Sequence, residues 1–255
     1  MNLQVYQTEL PKILPYRDLY LQAMNRQIRY NACHERGWST LYLFILDGVP
    51  IGYAAIKGKN ERSDRDCVFE FFLLPAQRKW ASLAFQQLIL VTQAAYIECQ
   101  SNDGFITPLL YEFAEQIRTE VILFEDQQVT DLKIPDVTFR PYNDDDKVFE
   151  HQSEPPGDYV LVRNNKVVAT GGFLLHYNRP FADLYMEVQM EYRGKGLGSY
   201  LLQEVKKACY LAGRVPAARC NLGNKASRAC LEKAGMGVCG FMLEGVVKKI
   251  KGGFM

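Results

Sequence analysis

DLYMEVQMEYRGKGLG, residues 183–198, is the stretch on which the reading of this 255-residue chain turns. Its first half alternates. Tyr185, Glu187 and Gln189 fall on one face and Leu184, Met186 and Val188 on the other, as in a β-strand. Its second half places glycines at 194, 196 and 198 directly before the amphipathic run SYLLQEVKKACYL, which reads as a helix. Without a Cβ, the backbone there can take positive φ and come close to a ligand. The first N–H groups of a helix point out of its end with no acceptor inside the helix, and the helix dipole favours an anion there. Strand, glycine turn and helix start together form a cradle for a pyrophosphate, with Arg193 and Lys195 beside it as neutralising charges. A tight turn with basic neighbours is the plainer alternative for a lone Gly-x-Gly.

Spacing separates this loop from other phosphate loops. The string G-x-x-x-x-G-K-[ST] does not occur. A dinucleotide fingerprint needs G-x-G-x-x-G in the first βα turn of a βαβ unit. Here the string is G-x-G-x-G, preceded by Arg193, and it follows two β-rich runs that form a hairpin around Asn164-Asn165.

Outward from the loop, the chain reads as α/β, with one order of elements occurring twice. In the second half, VTFRP is a strand, DYVLVRNNKVVATGGFLLHY a hairpin, PAARCNLG a strand, KASRACLEKAG a helix and GVCGFMLEGVV a final strand. In the first half, residues 10–36 read as one helix ending near Gly37, followed by a hairpin about Asp47-Gly48. CVFEFFLLP is then a strand, AQRKWASLAFQQLILVTQAAYI a long helix with room to run into a short strand, ITPLLYEFAEQI another helix and TEVILFE a strand. An offset of 115 residues lays LLPAQRKWASL over VQMEYRGKGLG, and an offset of 117 lays one hairpin turn on the other. Duplication is the better reading of that agreement. It predicts domains at 1–130 and 136–255, with the polar, proline-containing stretch at 126–137 as linker. In the aligned first half Arg78 matches Arg193, but Lys79, Ala81 and Leu83 replace the three glycines and Trp80 replaces Lys195. The first half is therefore expected to have lost the cradle.

The pattern from Val188 through Tyr192, Arg193, Gly196 and Gly198 resembles motif A of the GNAT superfamily of N-acetyltransferases. Asn224-Lys225-Ala226-Ser227, followed by Lys233-Ala234-Gly235-Met236, resembles its motif B. The resemblance covers about 136–255 and implies a tandem member with a degenerate N-terminal copy. Two acyl-CoA N-acyltransferase-like domains are expected, each an α+β mixed, mostly antiparallel sheet flanked by helices, with acyl-CoA wedged between splayed fourth and fifth strands. It implies acetyl-CoA as co-substrate and direct attack by a primary amine of a small-molecule acceptor. Val188, Gln189, Met190, Arg193, Gly194, Lys195, Gly196, Leu197, Gly198, Ser199, Asn224 and Ser227 would hold the acyl-CoA. The backbone N–H of Val188 would face the thioester carbonyl, and Val188 and Met190 would pair with the pantetheine arm. Glu187 is the first choice for the base and Asp183, acting through water, the second; a half-exposed glutamate on a strand is equally common without function. Asn224 and Ser227 equally suit a helix N-cap. The acidic tyrosine that many members carry seven residues after the motif B Asn is absent, Leu231 standing there. That departure favours the alternative of a non-catalytic acyl-CoA sensor. The stretch NDDDKVFEHQSEPPG is also too short for the two helices that usually line the acceptor side. A wall from the N-terminal half, with Trp38, Tyr42, Tyr53 or Trp80, would serve instead, though each is equally well explained as core.

Composition sets outer limits. Lys+Arg 30 against Asp+Glu 29, scattered, with only the short run Lys248-Lys249-Ile250-Lys251, argues against a nucleic-acid partner. The seven cysteines form no CxxC pair and the three histidines do not cluster with them, so no metal site is expected and the thiols read as reduced. No signal peptide and no membrane-length apolar run is visible, which places the chain in the cytoplasm and off the membrane. Edge strands of this fold can pair between subunits, which leaves room for a homodimer.

Overall fold

The computed structural model describes residues 2–249, so Ile250 and Lys251 of the basic run lie outside the described residues. The chain runs through β1 (Leu3–Thr8), α1 (Leu10–Met24), α2 (Tyr30–Glu35), β2 (Ser39–Leu46), β3 (Val49–Lys57) and β4 (Cys67–Leu73). A 3-10 turn (Pro75–Trp80) leads to α3 (Ala81–Thr92), β5 (Tyr96–Gln100), α4 (Thr107–Phe113) and β6 (Ala114–Asp126). Then follow β7 (Thr138–Pro141), β8 (Tyr159–Arg163), β9 (Lys166–Leu174) and β10 (Phe181–Val188). A second 3-10 turn (Met190–Tyr192) precedes α5 (Leu197–Leu211), β11 (Val215–Asn221), α6 (Lys225–Lys233) and β12 (Met236–Val247).

Two compact units result, and they are not the contiguous halves. One comprises the chain up to Arg26, Tyr30–Glu120 and the stretch from Gly240; the other comprises Gln27–Arg29 and Val121–Cys239. Two strands account for the difference from the expected 1–130 and 136–255. In the first unit Met242–Val246 of β12 lies antiparallel to β5. In the second, Val121–Glu125 of β6 lies antiparallel to β11. Each sheet is completed by a strand from the other half of the sequence. An open strand edge must find partners for its N–H and C=O groups, but the residues of a strand do not encode which edge it fills.

The first unit's sheet has the order β1-β2-β3-β4-β5-β12, and the second's β7-β8-β9-β10-β11-β6. Both are antiparallel except where β4 meets β5 and β10 meets β11. The hairpin turns match their sequence signals. Asp47-Gly48 has φ of 48° and 83°, and Asn164-Asn165 has 49° and 59°, so both take the left-handed pair of a two-residue turn. Each hairpin also carries a register shift, between Phe44 and Ile45 in one and Leu161 and Val162 in the other. These shifts stand 117 residues apart, the same offset as the turns. A shared irregularity at a shared offset is stronger support for duplication than the shared order of elements, because bulges are individual features of a fold.

β4 is buried along its whole length, which is why CVFEFFL reads as a nearly unbroken apolar run. In the second unit α5 packs on β8 to β11. It buries Leu197, Leu201, Leu202, Val205 and Cys209 at helical spacing, each large side chain contributing about 1.5–3 kcal/mol. Three expectations differ from the structure. The helix expected over 10–36 is broken at Asn25, whose backbone is extended, and Gln27–Arg29 joins the second unit, where the Ile28 carbonyl accepts the Asn178 N–H at 2.6 Å. The helix in ITPLLYEFAEQI stops at Phe113, beyond which the chain enters the 13-residue strand β6. Strand β1, whose LQVYQT pattern is alternating but short, was not anticipated.

Candidate active site

The site begins where two parallel strands part. β10 pairs with β11 only at Phe181, Ala182 and Asp183, opposite Val215, Pro216 and Ala217. β10 runs on to Val188 beside β9, while β11 runs on to Asn221 beside β6. Backbone direction alternates along an antiparallel strand. Gln189 donates its N–H to the Val168 carbonyl at 3.0 Å, so the groups of Tyr185 and Glu187 turn to β9 as well. Those of Leu184, Met186 and Val188 therefore turn the other way, into the gap left by β11. The Val188 carbonyl is engaged by Arg193 Nε at 2.9 Å, and the Met190 carbonyl by the Arg193 N–H at 3.2 Å. Pairing with an extended ligand at this strand end therefore falls to N–H groups.

The glycine loop follows directly. Gly194 and Gly196 have φ of +74° and +80°, a region that costs other residues roughly 1–2 kcal/mol. Gly196 caps α5, and the first N–H to bond inside the helix is that of Tyr200, to the Gly196 carbonyl at 3.1 Å. The N–H groups of Leu197, Gly198 and Ser199 thus open from the helix end. Gly198 answers a packing need: a Cβ there would stand 3.0 Å from Cys230 Sγ and 3.1 Å from Met186 Cε. Ser199 is buried. The two cations expected to flank the cradle have protein partners. Arg193 reaches Gln152 Oε1 at 3.4 Å and Glu187 at 3.5 Å, and Lys195 Nζ donates to the Glu191 carbonyl at 3.0 Å. Lys233, read from the sequence only as part of motif B, brings its Nζ to 3.8 Å from where a Gly196 Cβ would lie. Gln189 turns its side chain to a groove of about 480 Å³, lined also by Arg140, Lys147, Phe149 and Lys166, on the β8–β9 side.

Motif B is a helix cap. Asn224 Oδ1 accepts the Ser227 N–H at 3.0 Å, which satisfies one of the free donors of α6. Leu231, at the position of the missing tyrosine, is buried.

Asp183, Tyr185 and Glu187 project to the face of the sheet opposite α5. Glu187 is buried, and its carboxylate accepts the backbone N–H groups of Gln152, Ser153 and Glu154 at 2.9, 3.0 and 3.1 Å. Burial raises its affinity for a proton, but these three donors and the nearby His151 outweigh it and hold the carboxyl below the ordinary range. A carboxylate so committed suits an anchor better than the proton acceptor expected at this position. Asp183 is also engaged: His176 Nε2 lies 3.0 Å from Oδ2, and Arg219 Nε 3.5 Å. Five residues of strand at about 3.3 Å each put Asp183 on the order of 17 Å from Val188. Residues 142–158, too short for two helices, hold none, and Glu187 pins the segment at Ser153. Nothing in the spacing of the sequence pointed to His176, Arg219 or Glu154.

The first unit has the same parting of strands, β4 pairing with β5 only at Cys67 and Val68. Phe72 packs on Phe105 with ring centroids 5.4 Å apart, and Arg78, the counterpart of Arg193, lies 4.5 Å over the Phe105 ring. Glu70 is buried, accepting from Arg17 at 2.9 Å and from the Tyr53 hydroxyl at 2.9 Å, with His34 Nε2 also at 2.9 Å. No glycine loop precedes α3; Pro75–Trp80 forms a 3-10 turn there.

All seven cysteines are free. Among the described residues no group of three His, Cys, Asp or Glu could hold a metal, and no helix is long and apolar enough to cross a membrane.

Residues 123–236 match the family model of the acetyltransferase (GNAT) family. This stretch, nearly all of the second unit, is a GNAT acetyltransferase domain, the class that transfers acyl groups from acyl-CoA. Solved structures share the fold over almost the whole chain. A GNAT-family acetyltransferase from Colwellia psychrerythraea is 13% identical with a TM-score of 0.71, covering 96% of this chain and 100% of that one. A tandem GNAT protein from the clavulanic acid biosynthesis pathway is 9% identical with a TM-score of 0.58, covering 98% and 100%. A GCN5-related N-acetyltransferase from Sphaerobacter thermophilus is 12% identical with a TM-score of 0.54, covering 97% of each chain. No curated protein matches the chain in sequence.

Proposed function

We propose that this protein is an acetyl-CoA-dependent N-acetyltransferase whose second unit acetylates the primary amine of a small-molecule acceptor by direct attack. The observation that carries this reading is the cradle: Gly194 and Gly196 at positive φ open the start of α5 beside the strand end where β10 leaves β11. The diphosphate of acetyl-CoA would lie on the N–H groups of Leu197, Gly198 and Ser199, with Arg193, Lys195 and Lys233 supplying charge. The pantetheine arm would enter the gap along β10, with the Val188 N–H toward the thioester carbonyl, where a fixed donor stabilises the developing oxyanion. The first unit, with a 3-10 turn in place of a glycine loop before α3, is a degenerate copy that serves as scaffold.

The test is release of CoA thiol from acetyl-CoA on addition of small amines, with acetylated product identified by mass. Amine-dependent release supports the enzyme. A second reading, an acyl-CoA sensor, draws on the buried Leu231 where an acid could have stood. It predicts tight binding of acetyl-CoA with no amine-dependent release.

A further inference from the structure

Resting on the acetyltransferase reading, we propose that the acceptor is an amine that also carries a carboxylate, and that Arg219 binds this carboxylate at the strand gap. The register places Arg219. Asp183 and Ala217 are the last pair before β10 and β11 part, so their side chains share a face of the sheet. Arg219 stands two residues further along β11 and Tyr185 two residues further along β10, on that same face. This is the face opposite α5. The two side chains thus start from opposite edges of the gap assigned to the pantetheine arm. β11 is held on its far side by β6, where Arg219 pairs with Leu123.

The Arg219 guanidinium has capacity to spare. A fully engaged arginine meets a carboxylate through two nitrogens, at about 2.7–2.9 Å. Arg219 instead approaches Asp183 through Nε alone, at 3.5 Å. Its two terminal nitrogens have no protein partner among the described residues. Asp183 draws on His176 as well, at 3.0 Å. The Arg219 side chain is 37% exposed, so a ligand can reach the free edge, which matches the two oxygens of a carboxylate.

The surrounding charge selects the ligand. Within the same unit the Ile28 carbonyl accepts the Asn178 N–H at 2.6 Å, which brings the backbone of Arg29 to the loop that carries His176 and Tyr177. The Tyr177 hydroxyl feels the charges of Asp183, Arg219 and Arg29. The Glu154 carboxylate feels those of Asp183 and Arg219. Glu187 is held by three backbone N–H groups. Two guanidiniums against the carboxylates of Asp183 and Glu154 suit a zwitterion, which brings both poles and no net charge. A simple amine leaves the arginine edge unmatched, and a phosphate dianion is repelled by Asp183 and Glu154.

The experiment compares kcat/KM for acids and their carboxamides in wild type, Arg219→Met and Arg219→Lys, with acetylated products identified by mass. Tyr185, across from Arg219, is three residues from Val188, about 10 Å, so the acids should vary in length: glycine, β-alanine, γ-aminobutyrate, ornithine and lysine. Butylamine and phosphoethanolamine are measured alongside. A hydrogen-bonded charge pair is worth about 10–100-fold, and wild type should prefer at least one acid over its amide by that factor. Arg219→Met should bring the ratio close to one, and Arg219→Lys, which keeps the charge without the fork, should retain part of it. Both members of a pair meet the same protein sample, so any loss of folded protein cancels in the ratio. A preference for the acid that survives in Arg219→Met overturns the assignment and leaves the acetyltransferase reading intact. So does wild type that acetylates amides, butylamine or phosphoethanolamine as well as any acid. Wild-type protein that binds acetyl-CoA and acetylates no amine overturns both.

Discussion

Replacing Glu70 by alanine tests whether the first unit is scaffold. Glu70 is 1% exposed and Arg17 6%. Arg17 meets the carboxylate through Nε at 3.1 and 3.3 Å and through its second nitrogen at 2.9 Å. His34 and Tyr53 complete the shell at 2.9 Å each. Burial raises the proton affinity of Glu70, but Arg17 and His34 more than reverse this and hold it well below the usual carboxylate range. Glu70→Ala leaves the Arg17 charge buried and unpaired, a change that costs roughly 3–5 kcal/mol. At about 2–4 °C per kcal/mol for a chain of this size, the unfolding midpoint should fall by about 6–20 °C. The sign with pH follows from the depressed value. The contribution of Glu70 is complete above the unfolded glutamate value of about 4.3 and is lost as pH falls below it. The gap in midpoint between wild type and variant should therefore be full at pH 7 and close on acidification. The assay is thermal unfolding across pH, with turnover measured well below the midpoint. A variant as stable as wild type refutes the reasoning. So does an unchanged midpoint with lost turnover, which would make the cluster chemical rather than structural.

Three further outcomes follow from the site. Gly196→Ala must hold a side chain at φ +80°, but its Cβ meets nothing nearer than Ile134 at 3.5 Å. It should lower stability by about 1–2 kcal/mol without unfolding the protein, as a melting curve would show. Asn224→Ala removes the cap on α6 and should cost about 0.5–2 kcal/mol; an acetyl-CoA affinity that falls much further than the stability would show that Asn224 touches the ligand directly. Leu231→Tyr should not raise turnover, because Leu231 points into the core. A gain in kcat there would contradict the placement of that side chain.

The backbone of the glycine loop was legible because its signals are local: positive φ, a strand before and an amphipathic helix after are all written within residues 183–211. The hairpins were legible for the same reason, Asp47-Gly48 and Asn164-Asn165 being residues that accept left-handed backbone. Strand exchange was not legible. TEVILFE and GVCGFMLEGVV read as strands, but what decides the sheet each completes is long-range pairing, such as Val121–Glu125 on β11. The bonding of Glu187 was hidden likewise. Its place before Val188 suggested a base, whereas its partners come from Gln152–Glu154, more than thirty residues away and without secondary structure. Arg193 and Lys195 were expected to face an anion; the carbonyls of Val188 and Glu191 hold them in the structure. The first unit's lack of a glycine loop before α3 was visible in Lys79, Ala81 and Leu83. The Phe72–Phe105 contact joins distant residues and was not.

The most direct measurement is thermal unfolding during titration with acetyl-CoA, for wild type, Arg193→Ala and Gly196→Trp. A ligand bound only to the folded protein, at about 100 times its dissociation constant, adds about 2.7 kcal/mol, or about 5–11 °C in midpoint for a chain of this size. That rise in wild type, weakened in Arg193→Ala and absent in Gly196→Trp, is the result the cradle predicts. No rise in wild type with acetyl-CoA, CoA or longer acyl-CoAs would contradict it.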